Sequence, residues 1–170
     1  MSLTRDMVAS YRAPAEALGR RMAAPPGAGE PRALVTVMLA CFLIFVAQWP
    51  RLSREAFLTG QELNMLLGGA LLGWLFIAPL VLYGVAGLVH LVLRAMGGRG
   101  SYFGSRMALF WALLAAAPLW LLWGLIAGFV GPGIGLDIVG IAALIAFVAI
   151  WGAGLWSVEY GRNAAMGGAS

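Results

Sequence analysis

The sequence predicts an all-α fold: a polytopic transmembrane helical bundle of four spans, preceded by an amphipathic interfacial helix. Three observations carry this. Hydrophobic residues make up 62% of the 170 residues and charged residues only 11%, against about 25% charged in an ordinary soluble domain. Four stretches carry no Asp, Glu, Lys or Arg: Ala33–Pro50, Leu63–Leu93, Met107–Leu136 and Ile138–Val158. All 11 basic residues are arginine, and they favour alternate sides of those stretches. A soluble globule this small has no interior for so much apolar side chain. The composition therefore argues against a soluble enzyme, a nucleic-acid-binding domain and a disordered chain.

The spans follow from length. A helix crossing ~30 Å of hydrocarbon needs about 20 apolar residues, and in lipid each backbone N–H and C=O must be satisfied within its segment. The first and fourth stretches are each one minimal span. The second would be about 46 Å long as a helix at 1.5 Å per residue, so it is expected to be a single tilted or kinked helix. The third ends at Val130, because Gly131-Pro132-Gly133 punctuates it. The expected transmembrane domain covers 33–156, with spans at about 33–50, 63–93, 107–130 and 138–156. A cytoplasmic tail at 157–170 follows it. Arg5, Arg12, Arg20, Arg21, Arg32, Arg94, Arg99, Arg106 and Arg162 fall on one side, and only Arg51 and Arg54 on the other. The positive-inside rule then places both termini in the cytoplasm.

Residues 1–23 read as a basic amphipathic helix. Leu3, Met7, Val8, Tyr11, Ala15, Leu18 and Met22 recur at helical spacing, with Arg5, Arg12, Glu16 and Arg20 opposite. Ser2 is a candidate N-cap. Pro14 predicts a break near Ala13 and a restart with proline at the first helical position. Such a helix lies in the membrane interface with its arginines on anionic headgroups, or packs on the bundle's cytoplasmic face. Residues 24–32, which contain Ala24-Pro-Pro-Gly-Ala-Gly-Glu-Pro31, read as a Pro/Gly linker.

Little in the chain has the pattern of chemistry. Cys41 is the single cysteine and His90 the single histidine. No metal-ligand spacing occurs, so no metal, cofactor or catalytic residue is expected. His90 sits four residues before Arg94 with no carboxylate close in sequence. Pro79 and Pro118 lie mid-span, where each frees a carbonyl and bends its helix. No polar ligand near them in sequence is placed to use that carbonyl. Gly69-x-x-x-Gly73 and Gly124-x-x-x-Gly128 have the spacing that lets helices approach closely, and packing within the chain is expected. Gly97-Gly98-Arg99-Gly100-Ser101-Tyr102-Phe103-Gly104 is either a tight turn or a loop whose N–H groups, with Arg99 and Arg106, hold a lipid phosphate. Arg12, Arg20, Arg21, Arg99 and Arg106 are thus the candidate lipid or partner contacts.

That loop, followed by an apolar helix with a central proline (Met107-Ala-Leu-Phe-Trp111 through Ala117-Pro118-Leu119), resembles the Yip domain. Tyr11-Arg-Ala-Pro-Ala-Glu16 with Arg20-Arg21 is similar to the segment that opens many bacterial Yip-domain proteins. The family takes its name from interaction with Ypt/Rab GTPases. The resemblance implies a multi-pass protein without established catalytic residues. The functional expectation is a non-catalytic bacterial inner-membrane protein that organises or accompanies a membrane assembly. Its partners would be membrane lipids and other membrane-protein subunits, with no nucleic acid and no small-molecule substrate. The competing expectation is a small transporter or pore subunit using the Pro79 and Pro118 kinks.

Overall fold

The structure is a computed structural model that describes residues 3–23 and 29–161. These form helices α1 (Leu3–Ala9), α2 (Pro14–Met22), α3 (Gly29–Thr59), α4 (Leu63–Leu72), α5 (Ala78–Ala95), α6 (Tyr102–Phe129) and α7 (Ile134–Glu159). A π-helical turn, Gly73–Ile77, joins α4 to α5. No strand occurs among the described residues. Four helices are long and apolar enough to cross a membrane: α3, the continuous Leu63–Ala95, α6 and α7. The protein is an all-α polytopic helical bundle.

Each spanning helix runs past its charge-free stretch at one end or both, α6 only at its start, Tyr102. α3 was expected to end at Pro50 but continues to Thr59. The turn around Pro50 is held by Arg51, which donates to Gln48 (3.0 Å) and pairs with Glu55 (3.2 Å), while Leu52 and Ala56 are buried. At its other end α3 already begins at Gly29, so the expected linker shrinks: 29–32 is helical, and 24–28 lies outside the described residues. Proline at 31 is tolerated there because a first turn has no N–H partner to lose. α7 likewise runs to Glu159, three residues beyond the expected span; most of the expected tail, 162–170, and the Ser2 cap lie outside the described residues.

A π turn stands just before Pro79, where a bend was expected. Ala78 N–H donates to Gly73 C=O, one residue further back than in an α-helix. The ladder is re-registered just before the residue that has no N–H. At the end of α6, Gly131 takes φ +92°, which favours glycine, and the chain turns back into α7.

Packing centres on α6, which is buried without a break from Gly104 to Ala117. α3 runs parallel to it at a slowly drifting offset: Glu30 meets Arg106, Ala47 meets Gly124 and Pro50 meets Gly128. α7 runs antiparallel, with Gly154 on Ala108 and Gly140 on Trp123. α5 is also antiparallel, with Tyr83 edge-on to Phe110, centroids 4.9 Å apart. The two GxxxG pairs behave differently. A Cβ on Gly124 or Gly128 would fall on the α3 backbone at Ala47 and Pro50, so the missing side chains permit that contact. Gly69 and Gly73 meet nothing within 4 Å. They do not pack within the chain, because α4 touches α3 but buries none of its residues.

The N-terminal segment breaks before Pro14 and folds back as a helical hairpin. The turn Ser10–Ala13 separates α1 from α2, and Pro14 opens α2. This turn resets the helical phase. Met7, Ser10, Ala17 and Leu18 are buried, whereas Val8 is 71% exposed and Ala15 also faces out. The single apolar arc expected from spacing is corrected accordingly. Leu18 lies on Gly154 of α7 and Met22 near Gly104 of α6. Trp111 Nε1 donates to Ser10 (2.9 Å), and the Tyr11 hydroxyl donates to the Ala115 carbonyl (2.9 Å). The hairpin therefore runs down α6 from its first turn to its midpoint. Beyond it, Leu122 and Leu125 of α6 are exposed.

Candidate functional site

The densest polar arrangement lies where the ends of α5, α6 and α7 meet the Met96–Ser101 connection. Glu159, the last residue of α7, is 1% exposed. Its Oε1 accepts from Ser105 Oγ of α6 (2.7 Å) and from His90 Nδ1 of α5 (3.1 Å). Its Oε2 accepts from the Gly100 N–H (2.9 Å), and its backbone carbonyl accepts from the Arg99 N–H (3.1 Å). A buried carboxylate needs such partners, because leaving water uncompensated is expensive.

The glycine-rich loop is shaped to this carboxylate. A Cβ on Gly98 or Gly100 would sit 2.7 Å from Glu159 Oε2, closer than real side-chain carbons come. The loop's backbone does hold an anion, as the expected phosphate loop would, but that anion is the chain's own Glu159. The Arg99 side chain is exposed and takes no part. His90 thus has the carboxylate partner that its sequence neighbourhood lacks. Glu159 is 69 residues away, and no local pattern pairs them.

Histidine, serine and glutamate together invite a test against nucleophilic catalysis. A relay needs serine and acid on opposite ring nitrogens, with the serine proton aimed at the imidazole. Here Ser105 and Glu159 meet the same nitrogen, Nδ1. The Ser105 hydroxyl donates to the carboxylate, and it is 1% exposed. The arrangement ties three helix ends together.

Next to this cluster, Arg106 is paired with Glu30 of α3 (Nη1 to Oε2, 3.0 Å). Its guanidinium lies 4.3 Å from the Tyr102 ring centroid, and Tyr102 is edge-on to His90. Arg21 donates to Asp6 (2.8 Å) and stacks 4.7 Å over Trp111. Arg20 approaches Asp6 at 3.5 Å. Of the five arginines expected at lipid, Arg21 and Arg106 are therefore engaged inside the fold, and Arg20 partly so. Arg12 and Arg99 are exposed. Partial burial raises the Tyr11 phenol above its ordinary value.

Comparison with protein families, curated proteins and solved structures finds no match.

The turn before Pro118 receives a polar contact from the hairpin. Proline has no N–H for the Leu114 carbonyl and loosens the turn before it. In that turn, the next carbonyl, Ala115, receives the Tyr11 hydroxyl. The contact falls one residue past the freed Leu114 carbonyl. Sequence reasoning missed it because Tyr11 is 104 residues away.

Proposed function

We propose that this chain is a non-catalytic membrane protein that organises or accompanies other membrane components. In this reading it is Yip-like in its loop and proline pattern and resides in a bacterial inner membrane with both termini cytoplasmic. The observation that carries the reading is the second span. α4 buries no residue, and Gly68, Gly69, Gly73 and Gly84 along Leu63–Ala95 have nothing within 4 Å. Helices associate in lipid through close packing at small residues, so this span retains contact surface that the chain itself does not use. Several polar groups of the spans are meanwhile satisfied internally, although the buried indole N–H groups of Trp120 and Trp151 have no partner among the described residues. Thr36 donates to its own helix at Arg32 (2.7 Å), and His90, Ser105 and Glu159 satisfy one another. A solute path needs polar groups facing its lumen.

Gentle detergent purification from native membranes, followed by identification of what accompanies the chain, tests this reading. A stoichiometric membrane-protein companion is expected, and Gly69→Leu with Gly73→Leu should release it without unfolding the chain. Specific, saturable solute uptake by liposomes holding the purified chain alone, lost in Pro118→Ala, would overturn the reading in favour of a transporter.

A further inference from the structure

The outer face of the N-terminal hairpin carries a cleft of about 750 Å³ between α1 and α2. Arg5 lines it from α1, Arg12 from the turn and Arg20 from α2. Val8 and Ala13 supply apolar wall, and Glu16 is the only carboxylate lining it. Arg20 leans toward Asp6, but Arg5 and Arg12 have no carboxylate within 4.0 Å among the described residues. Two uncompensated guanidinium groups thus face one cavity.

Depth decides what they face. Trp111, which holds Ser10, is nine residues into α6 from Tyr102, about 14 Å at 1.5 Å per residue. By the Glu30–Arg106 pairing of α3 and α6, this level lies just inside Ala33, where the charge-free part of α3 begins. Tyr11, one residue before Arg12, reaches Ala115, about 6 Å further along α6, so the hairpin turn with Arg12 dips inside the edge of the hydrocarbon. An arginine there without a counter-charge is costly and reaches for the nearest phosphate. The exposed Val8 beside it offers an acyl chain an apolar entry.

We propose that this cleft binds the phosphate of an anionic membrane phospholipid, held by Arg5 and Arg12 with its acyl chains along the Val8 side. Guanidinium groups suit phosphate because their planar donors meet its oxygens in pairs. A soluble phosphate has the same anionic chemistry but no use for the apolar wall. The proposal rests on the membrane placement in the preceding section and not on any protein companion. Its test therefore uses the purified chain alone, and co-purification results leave it untouched.

The experiment measures lipid binding by the full chain in neutral detergent, by native mass spectrometry and thermal shift. Phosphatidylglycerol should bind ahead of phosphatidylcholine, and glycerol phosphate should neither bind nor stabilise. Arg5→Gln with Arg12→Gln should weaken phosphatidylglycerol binding about thirtyfold, from about 1 kcal/mol for each arginine near a lipid surface. Arg94→Gln with Arg99→Gln, at exposed arginines elsewhere, should leave it within about twofold, since scattered surface charge adds little to a specific site. Glu16→Gln should tighten it, which keeps the proposal testable even where the double variant fails to fold. Equal loss in both double variants would mean diffuse charge attraction. Protection by glycerol phosphate alone would mean a soluble-anion site. Either result, unchanged binding in the Arg5/Arg12 variant, or unchanged or weaker binding in Glu16→Gln overturns the proposal.

Discussion

Glu159 shows how much one buried side chain can organise. Its carboxylate gathers a histidine, a serine and a glycine N–H from three parts of the chain. Glu159→Ala would leave these donors without an acceptor, and the cost of such stranded groups is about 3–5 kcal/mol when one partner of a buried pair is removed. Glu159→Gln keeps one acceptor oxygen and should cost less. Gly100→Ala should resemble Glu159→Ala, because its Cβ would displace the carboxylate. Thermal unfolding in detergent orders the three. A Gly100→Ala protein as stable as the wild type would mean that the loop does not depend on this contact. Little of this cluster was legible in the sequence. The loop's glycines stood out, but the anion they approach is 59 residues downstream of Gly100, and no helical or strand periodicity links the two.

Among the elements, the two GxxxG pairs carry the same pattern and opposite consequences. At Gly124 a methyl group would overlap the Ala47 carbonyl, so Gly124→Ala must push α3 from α6. Overpacking of this kind costs about 1–3 kcal/mol. At Gly69 the space is open, and Gly69→Ala should stabilise the isolated chain by up to about 1 kcal/mol through helix propensity. Chemical denaturation followed by tryptophan fluorescence separates these signs. Equal effects at both positions would mean that the α3–α6 contact is not where stability resides. The existence of the four spans was legible, because charge-free length alone requires them. Their ends were not, because Arg51–Glu55 and Arg106–Glu30 allow charged turns to stay helical. The hairpin was half legible: Pro14 announced the restart, but the resetting of phase across Ser10–Ala13 moved Val8 and Ala15 to the outside.

For the whole molecule, the packing fixes which ends lie together, and in the proposed reading the arginine bias sets which end faces in. α3 and α6 are parallel while α5 and α7 oppose them. The hairpin, the Met96–Ser101 connection and Tyr160 therefore share one end, and Gly60–Glu62 with Val130–Gly133 share the other. The first end carries Arg5, Arg12, Arg20, Arg21, Arg32, Arg94, Arg99 and Arg106, and the second only Arg51 and Arg54. Several of the first group are neutralised in the fold, Arg21 by Asp6 and Arg106 by Glu30. The positive-inside bias is set by loop arginines and owes little to acidic residues, so these pairs do not weaken it. In a Cys41→Ala background, a cysteine replacing the exposed Arg99 should stay hidden from a membrane-impermeant thiol reagent added outside whole cells. A cysteine replacing the exposed Thr59 should react with it. The reverse pattern would turn the bundle over and put the hairpin cleft, with Arg5 and Arg12, against the outer leaflet. Labelling at both sites would mean that the two ends are not on opposite sides of the membrane.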